Sequence, residues 1–155
     1  MWDGYGLWRR SVVGVGTVPG VRRVGDAPPP GCVVFREGKR KPTTKVQEEA
    51  DDEAIERGEQ DMWDGFYRLS VFAAPLLPGE SEDEAVGRLF GAHRKVKFYR
   101  TTSVPTLQDA GFELEASPPE PYHYDVLLGT KLAADIVEQF EGCFGEPRRN
   151  PAWHG

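Results

Sequence analysis

The sequence predicts an α+β protein: a two-layer sandwich with a roughly four-stranded mixed sheet, helices packed on one face, and a Gly/Pro-rich N-terminal arm. Three observations lead there. Apolar residues alternate with period two in several segments between residues 66 and 128. Stretches with helical spacing and recognisable capping residues lie before, between and after those segments. Before residue 44, in contrast, Gly14, Gly16, Pro19, Gly20, Gly25, Pro28, Pro29, Pro30, Gly31 and Gly38 interrupt any periodicity before an element can grow.

Residues 1–43 therefore read as a basic arm with room only for short β-branched strands at 11–15 and 32–35, expected to pair at the edge of the main sheet. Residues 44–155 read as the globular domain. Thr44 caps a predicted helix ending near Gly58, whose apolar stripe of Val46, Ala50 and Ala54 is too thin for deep burial. In residues 66–73, Tyr67, Leu69, Val71 and Ala73 share one strand face. Ser81 and Glu84 form a capping box that opens a helix over 81–91. A strand over 95–102 and a short helix stopped by Gly111 follow, then strands at 112–116 and 122–128. The Val126-Leu127-Leu128 run suggests that the last strand is a central one. Thr130 is placed to cap a final helix over 131–144, with Leu132, Ile136, Val137, Phe140 and Cys143 on its apolar face. The tail has no periodicity, and Trp153 is expected to fold back over the end of the domain.

A chain of 155 residues supports one hydrophobic core. Its net charge of −6 conceals a strong alternation: +5 over residues 1–43, −9 over 44–92, +4 over 93–103 and −6 over 104–155. Any electrostatic steering of a partner is therefore local. No apolar run is long enough to span a bilayer and the N-terminus lacks the apolar region of a secretory signal, so a cytoplasmic, membrane-free protein is expected. Cys32 and Cys143 are too far apart in sequence for a metal-binding motif and too few for a disulfide framework, which predicts reduced thiols, no metal site and no cofactor.

The most suggestive segment is 93–100, where His93, Arg94, Lys95, Lys97, Tyr99 and Arg100 crowd one strand. Alternation puts Lys95, Lys97 and Tyr99 on one face, a basic stripe with a stacking ring of the kind that follows single-stranded nucleic acid. An edge strand guarded by lysines gives the same pattern. His93 and His123 are the weak catalytic candidates: as an acid–base pair beside Lys95, Lys97 or Arg100 they would suit a metal-independent ribonuclease, whereas a histidine between Tyr122 and Tyr124 also suits simple packing. The glycines at 14–20 lack the spacing and the following helix of a phosphate loop. Asp26, Glu37 and Lys39 mimic a metal-nuclease pattern that is common by chance. Trp2-Asp3-Gly4 recurs as Trp63-Asp64-Gly65, each followed by an aromatic residue, and reads as a turn beside a packed tryptophan.

No catalytic constellation outweighs these plainer readings. The expected function is a non-enzymatic protein-interaction module, of accessory, immunity or antitoxin type, with Trp2, Tyr5, Trp8 and Trp153 suited to partner contact. The alternative is nucleic-acid binding or RNA cleavage through residues 93–100.

Overall fold

The structure is a computed structural model, and it describes residues 26–90, 96–151 and 153. The strand expected at 11–15, the glycines at 14–20 and the first Trp-Asp-Gly lie outside the described residues, as do His93, Arg94 and Lys95.

The elements follow as β1 (Cys32–Glu37), α1 (Thr43–Glu59), β2 (Tyr67–Pro75), α2 (Glu82–Phe90), β3 (Phe98–Ser103), α3 (Val104–Asp109), β4 (Glu113–Ala116), β5 (His123–Gly129), α4 (Ala134–Gly142) and β6 (Arg148–Arg149). The α+β class is as expected, but the sheet is not a four-stranded mixed one. It has six strands in the order β4-β5-β2-β1-β3-β6, and every neighbouring pair is antiparallel.

The strand expected at the sheet's edge, β1, lies in its middle. It pairs with β2 through Val34 opposite Ala73 and with β3 through Val34 opposite Thr102. The physical reason is its two-sided burial: Cys32 and Val34 join one core cluster, while Val33 and Phe35 join another on the opposite face. A strand buried on both faces needs a continuous apolar run, and 32–35 is such a run.

Helices cover both faces rather than one. On the first face α1, α3 and α4 contribute Val46, Ala50, Val104, Leu107, Val137 and Phe140 to a core with Leu69, Val71, Leu114 and Val126. Phe140 meets Phe112 and Phe144 edge-on at 6.0 and 5.2 Å. The narrow stripe of α1 is fully buried at Val46 and Ala50, because small side chains let the helix approach both β2 and α4. On the second face α2 packs Ala85 and Val86 against Val33, Phe35 and Tyr99. The sequence fixes which side of a helix is apolar but not which side of the sheet it crosses.

Local signals set most boundaries. At α2 the capping box is complete: Ser81 Oγ accepts from the Glu84 N–H, and Glu84 Oε1 accepts from the Ser81 N–H, at 3.1 and 2.8 Å. Ser103 caps α3, and Gly111, at φ +96°, ends the turn that follows it. Two expected caps are replaced: Pro42 occupies the N-cap position of α1, and α4 begins after Ala133 with no side-chain cap. The stretch before α4 is held outside the helix, where the Gln47 side chain on α1 donates to the Leu132 carbonyl at 3.2 Å. The tail contributes β6, a two-residue strand beside Phe98 and Tyr99.

Candidate functional site

Two of the residues expected to contact nucleic acid are interior. Tyr99 lies on the α2 side of β3, has no exposed surface, and donates its hydroxyl hydrogen to Asp83 of α2. Burial, followed by that bond and charge, pushes its phenol well above the ordinary value. Arg100 lies on the other face at 1% exposure, bonded through Nη1 to Glu141 at 2.9 Å and through Nε to the Gly38 carbonyl at 3.2 Å. Burial lowers its pKa against the opposing pull of Glu141. Neither side chain is presented to an external phosphate or base, so Tyr99 leaves the basic stripe and Arg100 is no longer a contact candidate.

Arg100 belongs to a buried ionic cluster under α1 and α4. Arg36, its cross-strand neighbour, holds both carboxylate oxygens of Glu49 at 2.9 Å and donates to the Ser70 carbonyl. A second cluster surrounds Arg68, which is 1% exposed and bonded to Asp64, Glu115 and Asp125 at 2.7, 3.0 and 3.2 Å. Asp64 also accepts from the Phe66 N–H, closing the turn predicted for Trp-Asp-Gly, while Trp63 packs edge-on against Tyr67 at 5.2 Å.

His123 opens β5 half-buried, with its ring 5.5 Å from that of Phe72 and its Nδ1 3.8 Å from Glu120. Asp26, Glu37 and Lys39 form no metal cluster, and among the described residues no group of three or more His, Cys, Asp or Glu side chains is arranged to hold a metal ion. Nor is any described helix long and apolar enough to cross a membrane.

Two surfaces of the described residues stand out. The first is a corner between α2 and the start of β5. A cavity of about 280 Å³ is lined there by Phe35, Phe72, Arg88, Leu89, Pro121 and Tyr122, with Glu120 at its rim. Leu76, Leu77 and Tyr122 stand 40%, 50% and 42% exposed. Arg88 fixes the loop carrying both leucines, bonding the Pro75 carbonyl at 3.1 Å and both oxygens of Glu80 at 2.9 Å, and Glu80 in turn accepts from the Leu77 N–H. Tyr122 adopts φ +66°, and its carbonyl receives the Ala73 N–H at 2.9 Å.

The second surface lies toward the Glu37 end of β1, where Lys97 is exposed just before β3. Its ammonium lies 5.5 Å from the Phe98 ring and 4.8 Å from that of Trp153. Lys39 covers Phe98 at 4.4 Å and Arg149 covers Trp153 at 4.5 Å. Of the described residues expected to contact nucleic acid, only Lys97 reaches this surface. Phe98, Lys39, Arg149 and Trp153 join it through pairings no local pattern encodes, although the Arg148-Arg149 pair and a tail tryptophan were visible signals.

Among known proteins, no family model, no curated protein and no solved structure matches the chain.

Proposed function

We propose that the chain is a non-enzymatic protein-interaction module that receives an apolar side chain of a partner protein at the corner between α2 and the start of β5. The observation carrying this reading is a cavity walled by Phe35, Phe72, Leu89 and the exposed Tyr122, beside which Arg88 holds the loop that exposes Leu76 and Leu77. Apolar and aromatic side chains clustered at a concave site are the usual core of a protein interface, surrounded by a polar rim such as Arg88 and Glu120 supply here. Tyr122 adds support. A bulky residue in the left-handed region costs on the order of 1–3 kcal/mol, and such strain is concentrated where a side chain must be aimed for binding.

The test is affinity capture from the native host with the wild-type chain and with Leu77→Asp and Tyr122→Asp. Captured proteins are then purified and titrated against all three. A partner that binds the wild type and loses at least about tenfold affinity to both variants, whose urea midpoints stay unchanged, supports the reading; hot-spot losses of this size follow from truncating a central aromatic or aliphatic anchor. Equal binding to all three, or no partner at all, refutes it.

A further inference from the structure

We infer that the cation–ring ladder Lys39, Phe98, Lys97, Trp153 and Arg149 is a second binding site, for single-stranded nucleic acid. It goes beyond the corner proposed above and shares no residue with it. Three features carry it. First, the ladder holds charge that no described carboxylate neutralises. Eight of the thirteen described Lys and Arg side chains have a carboxylate within 4.0 Å. Lys39, Lys97 and Arg149 do not, in a protein of net charge −6 with carboxylates to spare. Each faces an aromatic ring instead.

Second, the cations are closely spaced. Lys39 and Lys97 share the Phe98 ring, which puts their ammonium groups within about 10 Å of each other by the sum of the two centroid distances, and Lys97 and Arg149 are bounded likewise by Trp153. Such a row can follow consecutive phosphates. Charges more than a Debye length away, about 10 Å at 0.1 M salt, are largely screened, and the nearby Glu82 and Asp83 are already paired with Arg148 at 2.9 and 3.0 Å.

Third, the ladder is built on fixed backbone. Asn150, 1% exposed, donates from its side chain to the Val96 carbonyl at 2.7 Å and from its backbone to the Lys97 carbonyl at 2.8 Å. The Trp153 N–H then donates to the Asn150 carbonyl, and Gly38, at φ +87°, donates to the Phe98 carbonyl. Three separate chain segments are thereby locked side by side.

The rings select single strands. In a duplex the base faces are already stacked on one another and are closed to the rings of Phe98 and Trp153. An unpaired base can take the place of Lys97 or Arg149 on Trp153, freeing that cation for a phosphate; base stacking is stronger than an exposed cation–ring contact, so the exchange is favourable.

The probes are labelled dT and U 12-mers, read by anisotropy in 50 and 200 mM NaCl, with a duplex 12-mer and inorganic polyphosphate as competitors. Three phosphate contacts at about 0.7 ion each predict a salt slope near −2 and about twentyfold weaker binding at the higher salt. Trp153→Ala should weaken binding at least about fivefold without changing the slope, Trp153→Phe should restore most of it, and Lys97→Ala should flatten the slope by about 0.7. Leu77→Asp should bind as the wild type does, which separates this site from the corner. Absence of binding at 50 mM salt overturns the inference. So does equal competition by duplex or polyphosphate, or indifference to Trp153→Ala in variants that keep the wild-type urea midpoint.

Discussion

Replacing Glu141 by Gln tests whether the buried ionic cluster depends on charge balance. Glu141 is 3% exposed and faces Arg100 at 2.9 Å, with Arg36 Nε 3.9 Å from its other oxygen and the Lys41 N–H at 3.4 Å. Glutamine keeps the shape and one accepting oxygen, so the Arg100 bond can survive, yet the arginine is left buried without its counter-charge. Breaking one side of a buried pair costs about 3–5 kcal/mol, and the retained bond puts this change near the lower end, about 3 kcal/mol. With a urea m-value of about 2 kcal/mol/M, the unfolding midpoint should fall by roughly 1.5 M. Glu49→Gln is the control. Its carboxylate holds Arg36 at 2.9 Å, but it is 37% exposed, and solvent screening should limit the loss to about 1 kcal/mol or less. The double change Arg100→Met with Glu141→Leu removes both charges together and should restore most of the stability lost in Glu141→Gln. A Glu141→Gln cost below 1 kcal/mol, or equal to that of Glu49→Gln, would refute the argument from burial.

The Tyr99 phenol is raised above its ordinary value of 10 by burial and the Asp83 bond, so above pH 10 the unfolded chain loses a proton that the native state keeps. Its contribution is complete below pH 10 and declines above it at about 1.4 kcal/mol per pH unit; urea titrations between pH 9 and 11.5 should show this decline, reduced in Tyr99→Phe. The Ser103 hydroxyl accepts the Thr106 N–H at 3.2 Å, and Ser103→Ala should cost about 1 kcal/mol in the same assay, with Ser103→Asp largely retaining the cap. Burial raises the thiol pKa of both Cys32 and Cys143, and Cys32 is 4% exposed. Iodoacetamide at pH 7.5 should therefore leave Cys32 unlabelled until urea unfolds the chain, and rapid native labelling would contradict its placement.

Elements whose cause is local were legible in the sequence. The alternation of Leu69, Val71 and Ala73, the Ser81/Glu84 box, and Gly111 after α3 each act within a few residues. What escaped was set by partners distant in sequence. Among glycines and prolines β1 reads as peripheral, and only the positions of β2 and β3 on either side make it central. For β6, two residues carry no period, and backbone bonds to β3 define the strand. The candidate site divides in the same way. Lys97 was visible as an exposed cation, but Tyr99 and Arg100 look identical to it in sequence until Asp83 and Glu141, 16 and 41 residues away, draw them inside. Trp153 was visible as a ring that folds back, but its station beside Lys97 depends on the bonds of Asn150.

The net charge of −6 is a poor guide to partner chemistry because interior arginines consume much of the acid. Arg36, Arg68 and Arg100 lie at 5% exposure or less, and each is met by carboxylates. Those pairs satisfy the cost of burying guanidinium groups and add little field outside. Arg88 and Arg148 are likewise paired, with Glu80 and with Glu82 and Asp83. After these neutralisations, Lys39, Lys97 and Arg149 remain as neighbouring cations on rings, while the corner between α2 and β5 offers Tyr122 and Leu89 in the wall of a mainly apolar cavity. Surfaces of such different chemistry, joined by one central strand, are suited to separate ligands. Binding at one should therefore survive a charge reversal or apolar-to-acid change confined to the other.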